Sequence, residues 1–216
     1  EIYYDTKPHH GKTKAYRYSM KHKGTRLYHL PDKRIVHHII FPNLHPGETY
    51  YFIVGKKKIG FTEEKSFRTL PEEIDTLHVV EGGDWELSPG AEKVARTAAQ
   101  QNPDAVFLGG DYPVGVNSEK DYLKWDQWLD MYTRTMTTKE GHLIPMILAI
   151  GNHEILEKNP SVSFFIDYFY QNPERQTYFH KVFSDDIALF VLDSGLAATH
   201  DGEQLSWMKK VLQKHN

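Results

Sequence analysis

Three segments of the chain run from apolar residues through glycine into a polar side chain: Gly82-Gly83-Asp84, Gly109-Gly110-Asp111 and Gly151-Asn152-His153-Glu154. Glycine lets a backbone turn tightly and come close to a ligand. In open α/β sheets ligands bind beyond the carboxyl ends of the strands. If the three turns meet at such a rim, Asp84, Asp111 and Asn152 repel or stay unsatisfied unless something cationic lies between them. A pair of divalent ions about 3.5–4 Å apart meets that need, and it can clamp a phosphate and activate a water. Oxygen and imidazole donors suit Mn, Fe or Zn. Taken alone, either Gly-Asp more often reads as a turn or a helix cap. Gly-Asn-His-Glu after an apolar strand is more specific, and the order of all three points to a metal centre.

Such a rim needs parallel strands with covered faces. After Leu70-Pro71-Glu72-Glu73, a linker, the pattern becomes strand, glycine turn, helix. Strands are expected over Thr76–Glu81, Ala105–Leu108, Ile144–Ile150, Tyr178–Phe183 and Ile187–Leu192. Helices are expected over Gly90–Gln101, over Asp121–Met136 and from about Gly202. Leu123, Trp125, Trp128, Leu129 and Tyr132 are assigned to the apolar side of the second helix. This alternation predicts an α/β sheet. Before residue 72 the rhythm is different. Short runs over Glu1–Tyr4, Lys14–Ser19, Arg34–Phe41, Thr49–Val54 and Lys65–Thr69 read as an all-β sandwich. Leu44 and Pro46 just before the strand-opening Tyr50 are similar to the tyrosine corner of immunoglobulin-like folds. Gly55–Gly60 reads as a hairpin turn with solvated lysines.

Composition narrows the chemistry. With no cysteine among the 216 residues, zinc–thiolate sites, disulfides and thiol nucleophiles are excluded. A formal net charge of -3 gives no field for nucleic acid or an anionic membrane. No apolar run approaches the roughly 20 residues of a membrane span. Asp193 and Ser194 lack a Gly-x-Ser-x-Gly elbow and read as a structural turn. Seven of the 13 histidines precede residue 72, which suggests a metal store. His37 and His38, however, would face opposite sides of a strand, so a surface or structural role is assigned to them.

The three glycine turns, with Leu192-Asp193-Ser194-Gly195 and Gly202-Glu203-Gln204-Leu205-Ser206-Trp207, resemble a calcineurin-like metallophosphoesterase. Within that group the chain resembles the purple acid phosphatases, especially bacterial relatives with an N-terminal fibronectin type III-like domain. Ile35–His38, Pro46–Phe52 and Phe67-Arg68-Thr69 resemble that domain. The resemblance implies a partial fibronectin-like β-sandwich over 1–72. It also implies the N-terminal part of a metallophosphoesterase domain over 75–216, the first half of an αββα sandwich. It implies two ions (Fe, Zn or Mn), with Asp84 on one, Asp111 bridging both and Asn152 on the second. His153 would contact the substrate phosphate and could protonate the leaving oxygen. A metal-bound hydroxide would attack a phosphate monoester, and the protein would be exported, periplasmic or extracellular.

The sequence also departs from that pattern. The purple enzymes place a metal-binding Tyr three residues after the second Asp; here that residue is Val114, and Tyr112 should point elsewhere. Where many relatives have His two residues after the first Asp, this chain has Glu86, read as a loop residue. The family completes its site with later histidines, and neither His200, assigned to a surface loop, nor His215, near a helix end, sits in those motifs. Five candidate strands, where such a sandwich needs about seven over about 100 residues, make both ends read as cut. The 216-residue chain is therefore expected to be nearly inactive by itself. The alternative is a binding or scaffold module with a degenerate phosphatase half. A nuclease is disfavoured by charge, and the expected partner is a small phosphate ester, with neither nucleic acid nor membrane.

Overall fold

The Tyr- and Ile-rich runs at the start of the chain alternate inward and outward side chains, and they assemble into an antiparallel sheet. The computed structural model describes residues 1–116, 118–155 and 164–214. Strand β1 (Ile2–Asp5) lies between β2 (Tyr18–Met20) and β5 (Thr49–Lys56). β3 (Thr25–Arg26) and β4 (Ile35–Val36) form a ribbon of their own, while β6 (Gly60–Phe61) and β7 (Lys65–Arg68) pair with β5. Ile2, Tyr4 and Tyr50 share one face of the sheet, Ile53 lies on the other, and all four are buried. Tyr4 meets Phe41 edge-on at 4.9 Å and Tyr50 stacks on Phe67 at 5.9 Å. The Tyr50 hydroxyl accepts the His45 N–H at 2.9 Å, the backbone anchor that a tyrosine corner makes. The lysines of the β5–β6 turn are exposed.

Two of the expected strands are much shorter than their sequences suggest. Of Lys14–Ser19, only the end pairs, because the segment before Tyr18 turns back on Asp5. The buried Asp5 carboxylate accepts the Arg17 N–H at 2.9 Å. Of Arg34–Phe41, only Ile35–Val36 is strand. Its polar side chains are drawn across to the rest of the molecule. The Arg34 guanidinium bonds to Asp126 and to the Tyr168 hydroxyl and lies 4.5 Å over the Tyr122 ring. His38 Nε2 sits 3.1 Å from the Tyr168 carbonyl.

No strand or helix is present between Arg68 and β8 (Val79–Gly82). β8, β9 (Ala105–Leu108) and β10 (Met146–Leu148) form a parallel sheet in the order β10-β9-β8. Parallel neighbours need long crossovers. Here they contain α1 (Pro89–Ala99) and α2 (Leu123–Thr135). The Ser88 side chain caps α1 by accepting the Ala91 N–H at 3.1 Å, with Pro89 in the first turn. Trp125, Trp128, Met131 and Tyr132 of α2 are buried with Val106, Leu108 and Leu148. Leu123, expected on that face, is 53% exposed. At about 100° per residue it lies nearly opposite Trp125.

The two later strands do not extend the parallel sheet. β11 (Phe179–Ser184) and β12 (Ile187–Val191) pair with each other. Phe183 of this hairpin stacks on Phe107, on the sheet face away from α1 and α2. The short α3 (Phe164–Tyr168), unanticipated from sequence, buries Phe164 and Phe165 in the same core as Trp125. α4 (Glu203–Leu212) follows as expected. Its Trp207 packs 5.1 Å from Tyr178. Among the described residues no helix is long and apolar enough to cross a membrane.

Candidate metal centre

The three glycine turns meet at the carboxyl ends of β8, β9 and β10, and backbone hydrogen bonds lock them together. Asp84 N–H donates to the Gly110 carbonyl at 3.1 Å and Trp85 N–H to the Asp111 carbonyl at 3.0 Å. His153 N–H donates to Asp111 Oδ1 at 3.0 Å. Asp84 and Asp111 both take left-handed backbone conformations, with φ of 49° and 63°. Asp is one of the few residues that visits this region readily. The two turns can therefore present carboxylates where most side chains would be strained.

Glu154 holds this junction from inside. Its carboxylate is 1% exposed. Oε2 accepts the N–H groups of Gly151 at 2.7 Å and Asp111 at 2.8 Å, and Oε1 accepts that of Tyr112 at 2.7 Å. Burial is the largest influence on this carboxyl and pushes it up to about 7; the three N–H donors pull the other way, and the Asp111 charge adds to the rise. The sequence reading used Glu154 only as part of a motif. Nothing local signals the role of Glu154 as an acceptor, because two of its donors, Asp111 and Tyr112, lie 43 and 42 positions away in the chain.

Tyr112 holds the same turn from below. Its hydroxyl lies 2.8 Å from the Leu108 carbonyl and 2.7 Å from the Ala149 carbonyl, and the side chain is fully buried. It points into the core, away from the rim. Val114, half-buried, has no donor to offer an ion. Glu86 is exposed on the loop after Asp84.

Asp84 and Asn152 are exposed at the rim, and Asp111 and His153 are half-buried. No hydrogen-bond or ion-pair partner satisfies the Asp84 carboxylate among the described residues. A cavity of ≈ 410 Å³ opens beside it, with Glu81, Glu86 and Ser88 on its lining and Val80, Leu108 and Met136 further along its wall; Asp111 and Asn152 do not line it. Two carboxylates and an amide give hard oxygen donors suited to a divalent ion. They fit only part of a shell, because among the described residues no three His, Cys, Asp or Glu side chains gather closely enough to hold an ion.

Asp193 turns out to organise a loop. Its buried carboxylate accepts the Thr177 hydroxyl at 2.6 Å and the N–H groups of Gly195, Leu196, Ala197 and Ala198. This is the structural turn expected for Asp193-Ser194. The exposed His200 packs against Gly195, and among the described residues it shares no hydrogen bond with the rim. His215 lies outside the described residues.

A parallel sheet whose strand ends carry interlocked Gly-Asp and Gly-Asn-His-Glu turns defines an α/β protein with a polar rim site. Residues 63–215 match the family model for calcineurin-like phosphoesterase. The chain belongs to that family, whose members hydrolyse phosphoesters and generally bind divalent metals. A comparison with curated proteins finds none that matches.

Proposed function

We propose that the chain carries the metal- and phosphate-binding rim of an acid-phosphatase-like phosphomonoesterase, with Asp84, Asp111 and Asn152 as metal ligands and His153 on the phosphate. The observation that carries this reading is the interlocking of the three turns, whose hydrogen bonds tie the backbones of Asp84 and His153 to the Asp111 turn at the strand ends. Divalent ions bound there supply positive charge for the phosphoryl oxygens and lower the pKa of a coordinated water. The protein's own contribution is orientation. The His153 N–H fixes Asp111 Oδ1, which leaves Oδ2 as the freer oxygen for an ion. The short helical turn Asn152–Glu154 sets Asn152 and His153 side by side at the rim. A protonated His153 imidazole can then donate to a phosphate oxygen or to the leaving group. The cavity beside Asp84 offers room for the organic part of the ester. The Tyr50–His45 anchor and antiparallel sheet support a fibronectin-like reading of residues 1–72, ahead of a phosphoesterase part over 75–216.

Calorimetric titration with Mn²⁺ or Zn²⁺ tests the ligands. Asp111→Asn is expected to weaken binding about 10–100-fold. His153→Ala should spare metal affinity and weaken inorganic phosphate binding to the metal-loaded protein, followed by ³¹P NMR. Unchanged metal binding in both Asp84→Ala and Asp111→Asn would overturn the assignment. A preference for DNA over an aryl phosphate in turnover would move it to a nuclease.

Val114 leads to a further expectation. Iron-loaded protein should show no tyrosinate-to-iron absorption band in the visible spectrum, since Tyr112 is buried with its hydroxyl on main-chain carbonyls. A strong purple band would show that another tyrosine reaches the ion.

One observation favours the alternative of a non-catalytic scaffold, namely that no three acidic or imidazole ligands gather among the described residues. In that case Mn²⁺ and Zn²⁺ bind no more tightly to the chain than to its Asp84→Ala, Asp111→Ala double variant.

A further inference from the structure

The histidine enrichment before residue 72 has no part in the rim site. His37 and His38 lie just past the end of β4, and they still reach different partners, His38 the Tyr168 carbonyl. His37 instead meets His22. Their Nδ1 atoms are 3.4 Å apart, their ring centroids 5.6 Å apart, and their planes lie at 65°. Both residues are exposed, so an ion can reach them from solvent.

The backbone holds this pair in place. His22 follows β2 and His37 directly follows β4, and the β3–β4 ribbon, in the register Thr25↔Val36, fixes the distance between them. Gly24 leaves the space. A Cβ there would lie 2.9 Å from His37 Cε1 and 2.4 Å from Ile35 Cγ2, and its φ is +74°.

The separation itself distinguishes two chemistries. A good hydrogen bond from a ring N–H centres near about 2.9–3.0 Å. Two imidazole nitrogens at about 2.0–2.1 Å from one tetrahedral ion stand roughly 3.3–3.4 Å apart. We propose that His22 and His37 form a second metal site, binding a divalent transition ion through both Nδ1 atoms. It lies beside the β3–β4 ribbon and does not depend on the phosphatase reading.

His22 Nδ1 accepts the Gly24 N–H at 3.1 Å, and the ion would take that lone pair. The exposed N–H then turns to water at small cost. Among the described residues no third His, Cys, Asp or Glu completes a group. Water therefore fills the remaining positions, and the nearby Lys21 and Lys23, which share the same surface cavity, keep the affinity modest. Imidazole ligands select Zn²⁺, Ni²⁺ and Cu²⁺ over Mg²⁺ or Ca²⁺, with Cu²⁺ the tightest.

The test is a Zn²⁺ titration followed through histidine imidazole NMR signals, in the Asp84→Ala, Asp111→Ala background that removes the rim. His22 and His37 are expected to shift together and saturate with one ion, while His38 stays unmoved. His22→Ala or His37→Ala should weaken that event at least about tenfold, and His38→Ala should not. Unfolding curves of the variants check that the exposed substitutions leave the fold intact. Independent, unsaturated shifts spread over many histidines, or unchanged binding in His22→Ala, would overturn the proposal.

Discussion

Glu154→Ala is expected to destabilise the protein by about 3–5 kcal/mol, the largest single effect of any polar substitution at the rim. The carboxylate accepts the N–H groups of Gly151, Asp111 and Tyr112, each at 2.7–2.8 Å, from a position 1% exposed. Each buried donor left without an acceptor costs about 1–3 kcal/mol. Three full losses overstate the result, because burying the carboxylate is itself unfavourable, as its raised pKa shows, and because water can enter the space. Glu154→Gln separates hydrogen bonding from packing. With the amide oxygen in the place of Oε2, it still accepts two of the three donors, so its cost should be about 1–3 kcal/mol. Urea unfolding measures both, as a shift in midpoint at unchanged slope. If Ala and Gln behave alike, with less than about 1 kcal/mol lost, the carboxylate is not what joins the two turns.

Much of the phosphoesterase half is legible in the sequence, for a physical reason. Ala105–Leu108 is a run of four apolar residues closed by Gly109-Gly110, and its strand bounds coincide with those read from sequence. Such a run admits few alternatives once glycine ends it. The N-terminal half is harder to read because its short strands compete with side-chain bonds formed over long sequence separations. Arg34 pairs with Asp126 and Tyr168, residues 92 and 134 positions away, and the strand beside it shrinks to two residues. Nothing near Arg34 in the sequence signals those partners. At the rim, the exposed candidates Asp84 and Asn152 were visible as motif residues. Glu154 was visible only as the last residue of its motif and not in its role, which is to satisfy backbone donors that come within reach only after the three strands have met. The His22–His37 pair was hidden in the same way, since it depends on the register of the β3–β4 ribbon.

The three glycine turns are not equivalent, and alanine substitution should separate them. At Gly151 φ is -109°, which any residue adopts, so only space is at issue. A Cβ there would lie 2.2 Å from Asp111 Oδ1, 2.5 Å from the Asp111 nitrogen and 2.9 Å from Glu154 Oε2. The backbone nitrogen cannot move aside without breaking its bond to Glu154. At Gly110 the φ of 113° adds backbone strain, and a Cβ would meet the Gly151 Cα at 2.5 Å. At Gly82 a Cβ meets only Leu108 Cδ2, at 3.7 Å, which is ordinary contact. Overpacking a tight site costs about 1–3 kcal/mol, and more where backbone is struck. Gly151→Ala and Gly110→Ala are therefore each expected to lose about 3 kcal/mol or more, with Gly82→Ala within about 1 kcal/mol of the parent. Thermal or urea unfolding of the three variants decides this. Where Gly151→Ala remains folded, Asp111 must have been displaced, so its Mn²⁺ affinity should fall as it does for Asp111→Asn. A stable Gly151→Ala with unchanged metal affinity would mean that the close packing of Asp111 against Gly151 neither holds the junction nor aims its carboxylate.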